Sequence, residues 1–179
     1  MNIALGLTGP NAAGKGEVAA YLSRNGFEIH SLSDIVREEA LESGLTTGRG
    51  DLILTGNLLR EQGGPGVLAE RILSRLHGRD VIDSIRNPAE VEVLRQLPLF
   101  LLLGVWTPVE VRFARALARG RKGDPATLEQ FQAREAEENT SDPNAQQLQA
   151  TFRMADRLLT NDGDLDQLHR ALDGVIAEY

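Results

Sequence analysis

A glycine-rich segment between a predicted strand and a predicted helix limits the folds open to this chain more than any other feature. The apolar run Ile3–Thr8 predicts a buried strand, residues 15–24 predict a helix, and between them lies Gly9-Pro10-Asn11-Ala12-Ala13-Gly14-Lys15. Glycines let the backbone curl round an anion with its N–H groups inward, and the helix N-terminus adds positive potential. The spacing therefore predicts a phosphate-binding loop in which Lys15 reaches the outer phosphates; the alternative is a glycine-rich turn without a ligand.

Strands and helices alternate along the rest of the chain, which is typical of a mostly parallel sheet. Further strands are predicted at about 27–31, 80–84, 99–105 and 157–160. We therefore expect an α/β protein with the P-loop NTPase fold, in which helices flank a five-stranded parallel sheet and a small helical lid lies at one end. The expected organisation is a single kinase-like domain over residues 1–179, with an acceptor-binding insertion at about 33–76 and a lid at about 120–144.

Three polar residues mark predicted helix starts. Ser33 is the expected N-cap of the helix after the second strand. Asn87 is followed by Pro88 and Glu90, which together form a typical capping sequence. Thr107 begins a similar sequence later in the chain, so we expect the same chemistry there.

Composition excludes several classes of function. The net charge is −7, so bulk attraction to nucleic acid or to an anionic membrane is not expected. The absence of cysteine excludes disulfides, thiol nucleophiles and Cys-ligated zinc. His30, His77 and His169 show no metal-ligand spacing, and we expect surface or strand-end positions for them. The N-terminus lacks the pattern of a signal peptide and no run is long enough for a membrane span, so we expect a cytoplasmic protein.

The phosphate loop has the Walker A spacing but departs from its commonest form. The Ser or Thr that usually follows the lysine and binds Mg²⁺ is Gly16 here, and the next residue is Glu17. A Gly-Lys-Gly sequence resembles the loop of adenylate kinase and its relatives, in which the residue after it is Thr. Glu17 could hold Mg²⁺ through water, or it could stabilise the N-terminus of the helix, which is the reading we favour.

Two further segments resemble the acceptor side of adenylate kinase. Asp34 and Arg37 are spaced like the pair that begins the acceptor-binding helix of that family, which implies that Arg37 grips a monophosphate. Asp83-Ser84-Ile85-Arg86 resembles the family sequence Asp-Gly-Phe-Pro-Arg shortened by one residue. The resemblance places Asp83 near Mg²⁺ and Arg86 on the acceptor phosphate. Arg60 is a further acceptor candidate.

A group of arginines precedes and enters the expected lid. Arg112, Arg115 and Arg119 share one helical face, and Arg121, Lys122 and Arg134 follow. By position, Arg115 resembles the family arginine beside the adenine, Arg119 the one at the phosphates, and Arg134 a second lid arginine. These side chains could instead form a solvated face paired with nearby glutamates. Few apolar residues can anchor the segment, chiefly Leu128 and Phe131, so we expect it to open and close.

The last predicted strand is framed by residues that resemble dephospho-CoA kinase. An Ala-Asp pair precedes this strand, and a turn beginning at Asn161 follows it; in that family the turn packs near the adenine. The resemblances imply a P-loop kinase of the adenylate-kinase-related, dephospho-CoA-kinase-like group that uses ATP and Mg²⁺. Its partner would be a small nucleotide-like phosphate acceptor, a nucleoside or deoxynucleoside monophosphate. The alternatives are a dephospho-CoA kinase and a nucleotide-binding regulatory module without catalysis.

Overall fold

A computed structural model describes residues 3–120 and 125–178 of the chain. Five strands and nine α-helices alternate within these ranges, and a 3-10 turn at Leu73–Arg75 follows the fourth helix. The strands are β1 (Ile3–Thr8), β2 (Glu28–Ser31), β3 (Arg79–Asp83), β4 (Phe100–Trp106) and β5 (Arg157–Thr160). The helices are α1 (Lys15–Arg24), α2 (Leu32–Glu42), α3 (Arg49–Gly63), α4 (Val67–Ile72), α5 (Pro88–Leu94), α6 (Val109–Arg119), α7 (Leu128–Glu137), α8 (Leu148–Arg153) and α9 (Leu165–Ala177).

The sheet has the order β2-β3-β1-β4-β5, and every neighbouring pair is parallel. The central strands β1 and β4 are almost wholly buried, as expected of a parallel sheet covered on both faces. This architecture confirms the predicted α/β fold with a five-stranded parallel sheet flanked by helices. The strand order reverses at β1, so a crevice opens at its carboxyl end, where α/β proteins commonly bind ligands.

Two apolar clusters hold the helices against the sheet. On one face, α1 and α9 pack through Leu22, Leu168 and neighbouring side chains. On the other face, α2, α4 and α5 pack through a second cluster that includes Leu68 and Val91. Burial of this apolar surface fixes the strands, and with them the loops at their carboxyl ends.

The helix starts agree with the sequence at one position and differ at two. Asn87 accepts a hydrogen bond from the Ala89 N–H at 2.9 Å and forms a complete capping box with Glu90. The prediction that Ser33 caps α2 is wrong, because the chain turns into the helix directly after Ser31 and the Ser33 hydroxyl instead lies 2.9 Å from the Ser31 hydroxyl. The capping prediction for Thr107 is also wrong, since α6 follows Pro108 without a side-chain cap.

The two segments with expected mobile or binding roles are mainly helical. The expected acceptor-binding insertion contains α2, α3 and α4, and the expected lid contains α7. Arg121 and Lys122, which were predicted to belong to the lid, lie outside the described residues. Across the described ranges, no helix is both long enough and apolar enough to cross a membrane.

Candidate active site

A cleft of about 1030 Å³ lies at the carboxyl ends of the central strands. The phosphate loop, the α2 and α3 helices, the end of β3 and the α6 and α7 helices all contribute to its walls. The predicted site residues that line it are Asn11, Ala12, Ala13, Gly14, Lys15, Gly16, Glu17, Arg37, Arg60, Asp83, Arg86, Arg115, Arg119 and Arg134. The predicted site residues that do not line the cleft are Gly9, Pro10, Asp34 and Asn161. The fold therefore brings together residues as far apart in the sequence as Asn11 and Arg134.

The phosphate loop depends on two glycines with positive φ. Gly9 has a φ of 141°, and a Cβ there would lie 2.3 Å from the backbone oxygen of Val105. Gly14 has a φ of 103°, and a Cβ there would lie 2.0 Å from the side-chain nitrogen of Asn161. Any other residue at either position would suffer both backbone strain and a steric clash. The loop can therefore curl as the sequence predicts only with glycine at its two ends.

Lys15 reaches back across the mouth of the loop. Its Nζ donates hydrogen bonds to the backbone oxygens of Gly9 at 2.7 Å and Pro10 at 3.0 Å. Burial lowers the pKa of Lys15 to about 8, the nearby Asp83 carboxylate opposes this shift, and Arg86 adds to it. The ammonium group therefore remains mostly charged at neutral pH, and an incoming phosphate would hold the proton more firmly on it.

The carbonyl of Ala13 is the point at which three distant segments support the loop. The Asn161 side-chain nitrogen donates to it at 2.8 Å, Thr107 Oγ1 lies 2.9 Å from it, and Arg115 donates at 3.5 Å. Arg115 also donates to the backbone oxygen of Asn161 at 3.0 Å. This is the physical reason for the wrong prediction at Thr107: its hydroxyl supports the loop and does not cap α6. Within the described part of the chain, the buried Oδ1 of Asn161 has no hydrogen-bond partner.

Arg112 connects the loop to the expected lid; its pairing with a nearby glutamate was the alternative that the sequence offered, whereas its contact with the loop was not predicted. Its Nε donates to the Thr107 backbone oxygen at 3.0 Å and its Nη1 to the Asn11 backbone oxygen at 3.2 Å. Nη1 also pairs with Glu135 of α7. The guanidinium lies 5.6 Å from the ring centre of Phe131, which is buried. The helix α7 is therefore attached to α6 by an ion pair as well as by the predicted apolar anchor.

Two of the predicted lid arginines face the cleft from this side. Arg119, at the end of α6, and Arg134, on α7, both line it. Arg119 is exposed and Arg134 is half-buried, and each makes contacts within the protein. Their places agree with a role at the transferring phosphate. Opening and closing of the lid remains a prediction.

On the opposite side of the cleft, a buried ion pair fixes the acceptor candidates. Arg60 donates to Oε1 of Glu90 through Nε at 3.3 Å and Nη2 at 2.8 Å, and both side chains are almost fully buried. Oε2 of Glu90 accepts the backbone N–H groups of Arg86 at 2.8 Å and Asn87 at 3.1 Å. One carboxylate thus orients Arg60 and the turn that carries Arg86. The capping sequence predicted that Glu90 reaches back to Asn87, but nothing near it in the sequence indicates Arg60.

Arg86 and Arg37 hold different positions on this wall. Arg86 donates to the side-chain oxygen of Gln146 at 3.1 Å, and burial lowers the pKa of its guanidinium while Asp83 and Glu90 raise it. Arg37 is exposed at the mouth and pairs with Asp34 as a neighbour on α2. Gln146 was not predicted as a site residue, since it lies 60 residues from Arg86.

Asp83 lies between the two halves of the cleft. One carboxylate oxygen, Oδ2, accepts a long hydrogen bond of 3.4 Å from the Ser84 hydroxyl. The other, Oδ1, is buried and has no hydrogen-bond partner among the described residues. A buried carboxylate oxygen without a donor is costly unless a cation or an ordered water satisfies it. The residues present therefore fit Mg²⁺ that is bound through Asp83, directly or through water.

Glu17 has partners that direct it away from such a role. Its Oε1 accepts from Arg24 at 3.3 Å and lies 3.2 Å from His169 Nε2 on α9. The contact with His169 ties α1 to α9, and the expected role of Glu17 at the N-terminus of α1 stays a prediction. A hydroxyl ligand at Gly16 is also absent, although a Cβ there would meet no atom within 4 Å.

Comparisons with known proteins agree with this geometry. No family model matches the chain. A UPF0200 protein of Pyrococcus abyssi is 31% identical over 179 residues, which cover 95% of this chain and 93% of that protein. A UPF0200 protein of Hyperthermus butylicus is 33% identical over 136 residues, which cover 74% of this chain and 73% of that protein.

Two solved structures show the same fold. The first is TT1252 of Thermus thermophilus, with 27% identity, a TM-score of 0.63, and coverage of 99% of this chain and 97% of that chain. The second is shikimate kinase of Acinetobacter baumannii, with 16% identity, a TM-score of 0.62, and coverage of 99% and 95%. They show the same fold as the one predicted from the motifs. The narrower resemblance to adenylate kinase or dephospho-CoA kinase stays a prediction. By its similarity to the archaeal relatives over nearly its whole length, the chain belongs to the UPF0200 family.

Proposed function

We propose that the protein is an ATP-dependent phosphotransferase whose acceptor carries a phosphate group. The observation that carries this proposal is the charge of the cleft. Among the described residues that line it, seven are lysine or arginine and two are carboxylates, in a chain of net charge −7. Positive charge on both sides of a central carboxylate suits two anionic substrates and a divalent cation between them.

The donor would bind on the loop side. Inward N–H groups of the Gly-rich loop, the α1 N-terminus and Lys15 form a phosphate site, and a nucleotide is the common ligand of such a loop. Arg115 and Asn161 both donate to the Ala13 carbonyl of the loop, and we propose that they contact the base of ATP. Mg²⁺ held near Asp83 would neutralise charge on the donor phosphates. Arg119 and Arg134 would face the oxygens of the transferring phosphoryl group.

The acceptor would bind on the α2–α3 side, and we propose a nucleoside or deoxynucleoside monophosphate. Arg37, Arg60 and Arg86 supply planar guanidinium groups that match phosphate oxygens. The wall above them includes the apolar side chains of Val36, Leu52 and Ile53. A phosphate attached to a planar, partly apolar base would match this combination of charged and apolar surfaces.

Two alternatives keep a physical basis. A dephospho-CoA kinase would use the same loop and sheet, with a larger acceptor in the same cleft. A nucleotide-binding regulatory module would bind ATP without transfer, and the features that favour it are Glu17 in place of the usual Thr and the shortened motif at Asp83. The Asp83 carboxylate favours catalysis, because it lies between the two charged walls and its buried Oδ1 has no hydrogen-bond donor among the described residues.

The test is ADP release from ATP and Mg²⁺ with a panel of acceptors. The panel contains ribo- and deoxynucleoside monophosphates, dephospho-CoA, and shikimate as the acceptor named for a protein of the same fold. We expect turnover with one or more monophosphates, its loss in Asp83→Asn, and full activity in the surface variant Asp166→Asn, since Asp166 is exposed on α9. Turnover with dephospho-CoA alone would establish the first alternative. ATP binding with no ADP release in the presence of any acceptor would establish the second alternative.

A further inference from the structure

A second group of ligand-type side chains lies outside the cleft, on the edge of the sheet. Glu28 and His30 project from β2, and Asp80 projects from β3, where it is the register partner of Glu28. His30 Nε2 lies 3.0 Å from Asp80 Oδ1 and 4.0 Å from Glu28 Oε1. One donor atom from each of the three residues falls within 4.8 Å of the other two. None of the three lines the nucleotide cleft.

The two inner members of this group are held in place. Oδ2 of Asp80 accepts the backbone N–H groups of His77 at 3.1 Å and Gly78 at 2.8 Å, so Oδ1 is turned toward His30. The side chains of Asp80 and His30 are 4% and 9% exposed, whereas that of Glu28 is 66% exposed. Such fixing of a carboxylate by a second set of donors is common around metal ligands. The exposed Glu28 leaves an approach from solvent.

We propose that Glu28, His30 and Asp80 bind one zinc ion. Zinc–nitrogen and zinc–oxygen bonds of about 2.0–2.2 Å in a tetrahedron place neighbouring ligand atoms roughly 3.3 Å apart. The 3.0 Å between His30 Nε2 and Asp80 Oδ1 already lies near that value. Rotation of the exposed Glu28 side chain would shorten the 4.0 Å between His30 Nε2 and Glu28 Oε1. Imidazole with carboxylates suits zinc or cobalt, whereas Mg²⁺ and Ca²⁺ prefer oxygen ligands alone. Water would complete the fourth position.

The bound ion would fasten the edge strand of the sheet. β2 pairs with β3 alone among the described strands, and its last residue, Ser31, lines the cleft. Sequence spacing could not reveal this group, because Asp80 is 50 residues from His30. We expected His30 at the surface or near a strand end. It lies one residue before the end of β2, and its side chain is buried between two carboxylates.

The alternative for these residues is a simple ion pair, and metal titration separates the two. Chelator-treated protein without nucleotide is titrated with Zn²⁺ by calorimetry, and with Co²⁺ by visible absorption, which reports ligand geometry. We expect one Zn²⁺ per chain and a Kd at least 10-fold higher in Glu28→Gln and in His30→Gln. His77→Gln keeps the backbone N–H that holds Asp80, and Asp83→Asn removes the carboxylate of the cleft. Both should bind Zn²⁺ as the unmodified protein does.

Each other outcome overturns the proposal. Absence of stoichiometric binding to the unmodified chain would leave only the ion pair. Equal affinity in Glu28→Gln and the unmodified protein would place the metal elsewhere, and so would a loss confined to Asp83→Asn. Glu28 is exposed, so its replacement leaves the buried His30–Asp80 contact intact and keeps the test independent of folding. The result does not depend on the proposed phosphotransferase activity, because no nucleotide or acceptor is present.

Discussion

Replacement of Glu90 by glutamine should destabilise the fold strongly, because every contact of this carboxylate is with a hydrogen-bond donor. Arg60 donates twice to Oε1, and the backbone N–H groups of Arg86 and Asn87 donate to Oε2. A glutamine side chain must turn its NH₂ group toward one of these two pairs of donors, whichever way the amide is flipped. It also leaves the Arg60 guanidinium buried without a counter-charge.

The size of the stability loss follows from the burial of Glu90 and Arg60. Glu90 is 0% exposed and Arg60 is 4% exposed, so water cannot replace the lost contacts. Removal of one partner from a buried pair costs about 3–5 kcal/mol. For a chain of 179 residues, each 1 kcal/mol lowers Tm by about 2–4 °C. We therefore expect Glu90→Gln to lower the free energy of unfolding by about 3–5 kcal/mol and Tm by roughly 6–20 °C.

Urea denaturation at neutral pH, with calorimetry in parallel, measures this loss. The matched control is Glu92→Gln on the same helix, since Glu92 is exposed and its replacement should change stability by less than about 0.5 kcal/mol. The double variant Arg60→Met, Glu90→Gln tests the cause, because it removes both buried charges and leaves the amide oxygen free to accept from the two backbone N–H groups; it should be more stable than Glu90→Gln alone. If Glu90→Gln costs less than about 1 kcal/mol with an unchanged urea slope, the buried pair does not constrain the fold as argued.

Three further predictions concern the proposed activity. Lys15→Ala should weaken ATP binding roughly 10- to 100-fold without unfolding the protein, as measured by calorimetry. In the proposed site the charged ammonium of Lys15 binds phosphate, and its pKa is about 8. ATP affinity should therefore fall as pH rises from 7 to 9.5, and Lys15→Arg should flatten that profile. Arg37→Ala and Arg86→Ala should raise the acceptor KM by roughly 10-fold or more, with little change in the ATP KM, in steady-state assays. Arg119→Ala should lower kcat at least about 10-fold with less effect on ATP binding, if its contact strengthens in the transition state.

Distinct results would contradict these expectations, and an unchanged kcat in Arg119→Ala would remove Arg119 from the transferring phosphate. Unchanged ATP affinity in Lys15→Ala, or a pH profile equally steep in Lys15→Arg, would remove Lys15 from the phosphate site. An acceptor KM that stays the same in both Arg37→Ala and Arg86→Ala would show that another group holds the acceptor. For the lid, hydrogen exchange of residues 125–144 should slow when both substrates are bound. Equal exchange with and without them would mean that no closure occurs.

Much of the sheet and of the loop could be predicted because local sequence determines them. The apolar run Ile3–Thr8 and the glycines at positions 9 and 14 carry their own conformational preferences, and the structure has strand, loop and helix where they were expected. The capping box at Asn87 likewise needs only residues within one helical turn. These features depend on residues that are close together in the sequence, so the sequence alone predicts them.

The remaining features depend on partners that are distant in sequence. Thr107 has the local pattern of a cap, yet its hydroxyl lies beside Ala13, which is 94 residues away. Glu17 lines the cleft, but its carboxylate is in contact with His169 and Arg24. The role of Glu90 as the partner of Arg60 could not be predicted either. In each case tertiary contacts decide among several local options that are similar in energy.

The support of the Ala13 carbonyl has a consequence for the order of events during synthesis. Its three donors are 94, 102 and 148 residues further along the chain. A nascent chain that has only reached β4 already contains the whole glycine-rich loop, but none of these donors. The loop therefore acquires its full support only when Asn161 has left the ribosome. Incomplete translation products would retain the loop sequence without this support, so the proposed nucleotide binding would belong only to the nearly finished polypeptide.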